Sequence, residues 1–328
     1  MNAIRAMVAA ILVVTCSGTN PPQKPPTVIG LILGVSNDEA TARIDATERV
    51  DAFRRGMESF GYRDGSDIRL VFRYIEGGAD RGAALTDELI RDGAAVIVTG
   101  NPGGVEGAMR ASKTVPIVMA GVGNDPVTLG YVASLARPGG NVTGLSFQAP
   151  TLQGRRLQLL KDVLPAGTRL GVLHDGTLPA SANVGLQNAA AALGVHLEIE
   201  TVEVVDQIEA AVAALRSRGV TGFHVNIGSR LGNYMPRIGK AATDQRMAST
   251  FGVLEGARAG LLALGPDQVD LYRRAAAYVD KILKGASPSD LPVEQPEKIG
   301  LWINLRTAQA IGLTIPDAIL AQATDVIR

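Results

Sequence analysis

From Val28 onward, short apolar runs alternate with segments in which apolar side chains return every three or four residues. Residues 28–33 form an uncharged apolar run, the pattern of a buried strand. Val50, Phe53, Met57 and Phe60 then recur at helical spacing, and Ile68, Leu70, Phe72 and Tyr74 alternate as in a half-buried strand. Leu85 and Leu89 mark a helix, and 95–99, 117–120 and 142–145 read as further strands. This alternation predicts a parallel sheet with helical crossovers, a first lobe complete by about residue 145. The series then restarts. A helix over 152–164, a strand over 170–174, a helix over 184–193 and a strand over 195–201 lead to a helix built on Ile208, Ala211, Val212 and Leu215. Strands over 223–227, 249–253 and 261–264 close a second lobe of similar design. The fold class is α/β, with two doubly wound parallel-sheet lobes.

Composition agrees with two lobes, because 328 residues exceed the length at which one core keeps growing, and a 46% hydrophobic fraction suffices to fill both. Lys plus Arg equals Asp plus Glu at 32 each, which removes the long-range field of a nucleic-acid or acidic-membrane binder. Ahead of the alternating region, 1–18 read as an export leader: Arg5 gives a positive start and 6–14 an apolar run too short to span a bilayer. The sole cysteine, Cys16, ends that run and is the candidate lipid-anchor site, although Thr15 stands where that signal wants glycine, alanine or serine. The body therefore has neither disulfide nor thiol chemistry. Residues 19–27, rich in proline and polar side chains, are an extended tether.

Candidate chemistry gathers where strands end, since ligands of doubly wound sheets sit outside the carboxyl ends of the strands. The richest stretch is 115–147, in which two apolar strands flank an Asn124-Asp125-Pro126 turn and a Pro138-Gly139-Gly140-Asn141 turn before running into Ser146 and Phe147. Gly100, Asn101 and Pro102 open a glycine-rich helix start; it either holds a carboxylate or phosphate on backbone N–H groups or is a structural turn. The glycines at 100, 103, 104 and 107 are not spaced as G-x-G-x-x-G, so a dinucleotide site is not expected. Ser36 and Asn37 either donate to a ligand or cap the first helix. One of Asp125, Glu255 and Asp267 is expected to pair with a ligand cation, a rim or turn role being the alternative for each. His174, His196 and His224 show no metal spacing, and there is no G-x-S-x-G elbow, so catalysis and metal binding are not expected. Aromatics, at 4%, are too few for a typical sugar platform.

Four ordered blocks carry a family resemblance. They are Asp-Pro-Val with a helix-and-turn segment over 130–141 and Val-Thr-Gly after it; Ala-Leu-Gly-Pro-Asp at 263–267 with the helix over 272–285; Leu-Pro-Val-Glu-Gln-Pro at 291–296; and 303–313. Together they resemble the ABC-transporter substrate-binding proteins that include the tryptophan- and tyrosine-binding lipoproteins. The resemblance implies a type I periplasmic-binding fold with a three-crossing hinge, dividing the chain into 28–145 plus 265–294 and 146–264 plus 295–328. It also implies that the loop of Ser36 and Asn37 lines the cleft. The family commonly carries Asn-Pro near position 174, so His174 and Asp175 depart from its pattern, as Asn226 and Ser229 do at the next strand end. His174 and Asn226 are retained as candidate contacts. The function implied is the exported solute-binding component of an ABC importer, closing over a small organic ligand such as an amino acid. Its partners are that ligand and a permease; it needs no cofactor or nucleic acid and touches the membrane only through an anchor at Cys16. A ligand-sensing receptor module and an enzyme on the same scaffold are the alternatives.

Overall fold

The computed structural model describes residues 25–34, 39–75, 78–123, 125–147, 150–228, 230–295 and 298–328. The expected leader, Cys16, most of the tether, and the candidates Ser36 and Asn37 lie outside the described residues. In chain order the first half runs β1 (Thr27–Gly34), α1 (Glu39–Ser59), β2 (Ile68–Ile75), α2 (Ala79–Arg91), β3 (Ala94–Thr99), α3 (Pro102–Ala111), β4 (Ile117–Val122) and β5 (Val142–Ser146). The second runs α4 (Pro150–Val163), β6 (Arg169–Asp175), α5 (Val184–Leu193), β7 (Leu197–Val202), α6 (Ile208–Ser217), β8 (Val220–Asn226), α7 (Met235–Asp244), β9 (Ala248–Phe251) and β10 (Leu262–Gly265). After these come α8 (Gln268–Leu283), β11 (Gly300–Asn304), α9 (Leu305–Ile311), α10 (Asp317–Leu320) and β12 (Asp325–Ile327).

The first sheet has the order β2-β1-β3-β4-β5, with every pairing parallel. Helices on both faces explain why β1 is apolar at nearly every position. Ile29, Leu31 and Leu33 share a core with Phe53 and Met57 of α1 and with Leu271, Tyr272 and Val279 of α8. Val28 and Ile32 face the other way, toward Leu85 and Leu89 of α2 and Val105 of α3. Each large side chain so buried contributes roughly 1.5–3 kcal/mol. Gly56 lets α1 and α8 touch, since a Cβ there would lie 2.5 Å from the Arg273 carbonyl oxygen and 2.7 Å from the Ala276 Cβ.

The second sheet has the order β12-β11-β10-β9-β8-β6-β7 and is parallel except where β11 returns antiparallel to β10. Leu157, Leu160 and Leu186 cover one face, and Val212, Leu215 and Ile238 cover the other. The chain thus crosses between the sheets after β5, after β10 and before β11. The first and third crossings are tied together: Glu294 N donates to the Gly144 carbonyl at 3.0 Å and Ser146 N to that of Glu294 at 3.0 Å.

Three local expectations are corrected. The segment over 130–141, expected as a helix and turn, is irregular. Tyr131 N and Val132 N both donate to the Pro126 carbonyl, and Gly130 and Gly139 take φ of 69° and 75°, which coils the chain too tightly for helical bonds. The strand expected over 249–253 stops at Phe251, beyond which Gly252 bends. The expected parallel order also breaks at β11, whose antiparallel return follows from its re-entering the sheet from the hinge side. Among the described residues no helix is long and apolar enough to cross a membrane.

Candidate functional site

The carboxyl ends of β1, β3 and β4 face those of β8 and β9 across a cavity of about 160 Å³. On the first-sheet side its wall is mostly backbone: Gly34, Gly100, Asn101, Pro102, Gly121 and Gly123. Gly121 has φ of 93°, and a Cβ would lie 2.3 Å from Leu271 Cδ1, so only glycine keeps that wall flat against α8. Gly100 N donates to the buried Tyr272 hydroxyl at 3.0 Å, and burial raises the pKa of that phenol. Phe147, the one Phe, Tyr or Trp ring on the wall among the described residues, packs over Gly123, where a Cβ would approach the ring to 3.0 Å.

Asn101 caps α3 with its own side chain, Oδ1 accepting from Gly104 N at 3.1 Å. One orphan N–H of that helix start is therefore satisfied within the protein, which narrows its capacity to collect an anion. The other end of the same amide points across the cavity. Asn101 Nδ2 donates to Asn233 Oδ1 at 3.4 Å, and Asn233 Nδ2 donates to the Ile75 carbonyl at 3.0 Å. Asn233, on the 3-10 turn Leu231–Tyr234 after β8, thus bridges the two sheets. A second bridge, Arg258 Nη2 to Glu48 Oε2 at 3.2 Å, joins them nearer the surface.

Apart from Arg49 of α1, the charged lining comes from the second half. Arg156 of α4 lines the cavity, donating through Nε to the Leu264 carbonyl at 2.8 Å and through Nη2 to that of Gly252 at 3.2 Å. Burial lowers its pKa to about 10, so it stays charged at neutral pH. His224 of β8 is buried beside it, and Nδ1 donates to the Thr250 carbonyl at 3.1 Å. Burial first, then the Arg156 charge, lowers its pKa to about 3, which leaves a neutral ring with Nε2 as its acceptor. Glu255 also lines the cavity and takes a hydrogen bond from Gln268 N at 3.1 Å, where the second crossing begins α8.

Of the twelve candidates, six stand on this wall: Gly100, Asn101, Pro102, Phe147, Asn226 and Glu255. Asn226 donates to Asn183 Oδ1 at 3.0 Å. Ser36 and Asn37 lie outside the described residues. The remaining four are placed elsewhere. Asp125 turns its own loop, accepting from Val127 N at 3.0 Å and from the Thr128 hydroxyl at 2.7 Å. Asp267 caps α8, accepting from Val269 N at 2.8 Å and Asp270 N at 3.3 Å. Ser146 is buried in the hinge pairing, and His174 donates through Nε2 to the Leu178 carbonyl at 3.3 Å below the cavity wall. Asp125 and Asp267 are spent on orphan backbone donors, so Glu255 is the acidic candidate that reaches the cavity. Sequence reasoning missed Arg156, His224, Asn233 and Arg258. Among the described residues no group of three His, Cys, Asp or Glu side chains is placed to hold a metal ion.

Residues 43–327 match the family model described as ABC transporter substrate binding protein. A tyrosine-binding protein of Clostridioides difficile is 24% identical over 289 residues, 86% of this chain and 81% of that one. A solved ABC domain from Streptococcus pneumonia in complex with L-Trp superposes with a TM-score of 0.81 at 25% identity, over 92% of this chain and 100% of that one. The ligand-free, open structure of a substrate-binding protein with adhesive properties from Clostridium difficile superposes with a TM-score of 0.63 at 22% identity, over 92% of this chain and 99% of that one.

Proposed function

The chain belongs to the family of ABC transporter substrate-binding proteins, and from that premise we propose that it is the exported component of an importer, closing over an amino acid or a related small organic molecule. Its architecture is that of a type I periplasmic-binding protein. The observation that carries the proposal is the cavity between the lobes, where a buried arginine, a glutamate and one aromatic ring face a wall of backbone and Asn233 spans the gap. A zwitterion with an apolar side chain finds an opposite charge for each of its ends there, and a buried charge needs such a partner.

Closure follows from differential affinity. A ligand touching both lobes binds the closed arrangement more tightly and shifts the hinge toward it. The bonds that span the gap, Asn233 to Asn101 and to the Ile75 carbonyl and Arg258 to Glu48, support a closed arrangement here. Proteins of this family work outside the cytoplasm, and the closed form is the one a permease would read.

Thermal melting of the chain from Thr19 onward, unfolded and refolded to strip retained ligand, tests the reading against amino acids, organic acids, sugars and nucleosides. A ligand at 100 times its dissociation constant adds about 2.7 kcal/mol to the state that binds it, a shift of several degrees. A shift with sugars or nucleosides and none with amino acids or organic acids would overturn it.

A further inference from the structure

Among the described residues Arg156 is a buried cation without an acidic partner. The residue is 7% exposed, and its bonds run to two carbonyl oxygens, with no carboxylate at ion-pair distance among the described residues. A guanidinium carries five N–H donors in a planar fork, so these two bonds leave most of its donors unused beside the cavity. The guanidinium packs against Gly252, where a Cβ would sit 3.3 Å from both Cζ and Nη2, and Arg156 lines the cavity there.

The neighbouring groups do not supply the missing charge. His224 is neutral. Arg258 is paired with Glu48, and Arg49 adds a third cation to the wall. Among the described residues the carboxylate on the lining is Glu255, which already accepts from the α8 backbone.

We propose that Arg156 is the anion anchor of the cleft: it receives the carboxylate of the ligand, and compounds without a carboxylate are rejected however well their side chain fits. His224 Nε2, held as an acceptor by the Thr250 contact, takes a donor of the same ligand beside that carboxylate. This rests on the solute-binding reading and narrows it to carboxylates whose net charge is zero or negative.

The test is calorimetry on the refolded wild type and Arg156→Met, with L-tyrosine and L-tryptophan, their decarboxylated amines tyramine and tryptamine, and two acids lacking the amine, 4-hydroxyphenylacetate and indole-3-acetate. Removing one partner of a buried charge pair weakens binding by roughly 30-fold or more. The wild type should therefore prefer a carboxylate over the matching amine by at least that factor, and the variant should lose the preference. A residue that merely braced the hinge would weaken acid and amine alike and leave the preference intact, which overturns the anchor. So does a wild type that binds amine and amino acid equally, though the amino-acid reading then stands. Binding of the amine-free acids alone, lost in the variant, keeps the anchor and removes the amino-acid reading; binding of nothing in the panel removes both. Arg156→Lys keeps the buried charge without the fork and replaces Arg156→Met if the latter does not fold, with an intermediate loss of preference expected.

Discussion

The Asp175 carboxylate is fully buried at the end of β6, and its two oxygens accept five hydrogen bonds from described residues. Oδ2 takes the backbone N–H groups of Gly228, Arg230 and Leu231 at 3.0, 2.9 and 2.6 Å. Oδ1 takes the backbone and hydroxyl of Thr177 at 3.0 and 2.7 Å. The same three donors begin the turn that delivers Asn233 to the cavity. In Asp175→Asn the side chain keeps its shape, and its best orientation holds the oxygen on the three loop donors. Each of those bonds then falls from charge-assisted to neutral strength, a loss of about 1 kcal/mol apiece. The amide nitrogen must face the Thr177 N–H, donor against donor, at about 1–3 kcal/mol more. The sum is about 4–6 kcal/mol. At roughly 2 °C per kcal/mol for a chain of this size, the midpoint of thermal unfolding followed by circular dichroism at pH 7 should drop by about 10 °C. Below that midpoint, ligand affinity should fall as well, because the turn carrying Asn233 loosens. A variant that melts within 2 °C of wild type would refute the role of this carboxylate as the organiser of the turn.

Three further outcomes follow from the same geometry. Asn233→Ala removes two neutral bonds made across the cleft, about 1–2 kcal/mol, so ligand binding by calorimetry should weaken about 5- to 30-fold with little change in the melting of the ligand-free protein; unchanged affinity would sink the bridge. For His224, the folded pKa of about 3 lies below the ordinary value of 6.5, so the unfolded chain binds the extra proton between those values. Stability should then fall as pH drops through that window, by up to about 1.4 kcal/mol per unit, and His224→Gln should flatten the dependence of the urea midpoint on pH; parallel curves from pH 7 to 4 would show the ring titrates normally. Gly56→Val forces α1 and α8 apart at a 2.5 Å approach, an overpacking that should cost roughly 1–3 kcal/mol in urea unfolding, and a neutral result would mean the helices can slide.

The architecture was legible because its strands are buried on both faces and therefore apolar at consecutive positions, as in β1. Elements too short to show a period were not: β12 spans Asp325–Ile327 and pairs only with β11. Helix α7 carries its period at Ile238, Ala241 and Ala242, but small side chains give a weak signal. The strand-end rule led to the cavity wall, since it follows from topology. It also swept in Asp125 and Asp267, because the residue types that cap helices and turns are those that bind ligands. Arg156 was invisible for the opposite reason. It stands beside Arg155 on a helix, and only tertiary packing exposes Arg155 to solvent while it buries Arg156. His224 lies mid-strand, where sequence alone does not tell which face meets a cleft.

The first lobe takes part of its core from a helix synthesised long after its last strand. Leu271, Tyr272, Ala275, Ala276 and Val279 of α8 cover Phe53 and Met57, and the second lobe takes β11 from beyond residue 299. A nascent chain stopped at Gly265 would hold the whole first sheet and still leave one apolar face bare, the condition in which chaperones retain a chain. Neither half can finish alone while the polypeptide is emerging. For an exported component, as proposed above, this wiring would be a timer: withholding one late helix would keep the chain pliable until its destination is reached.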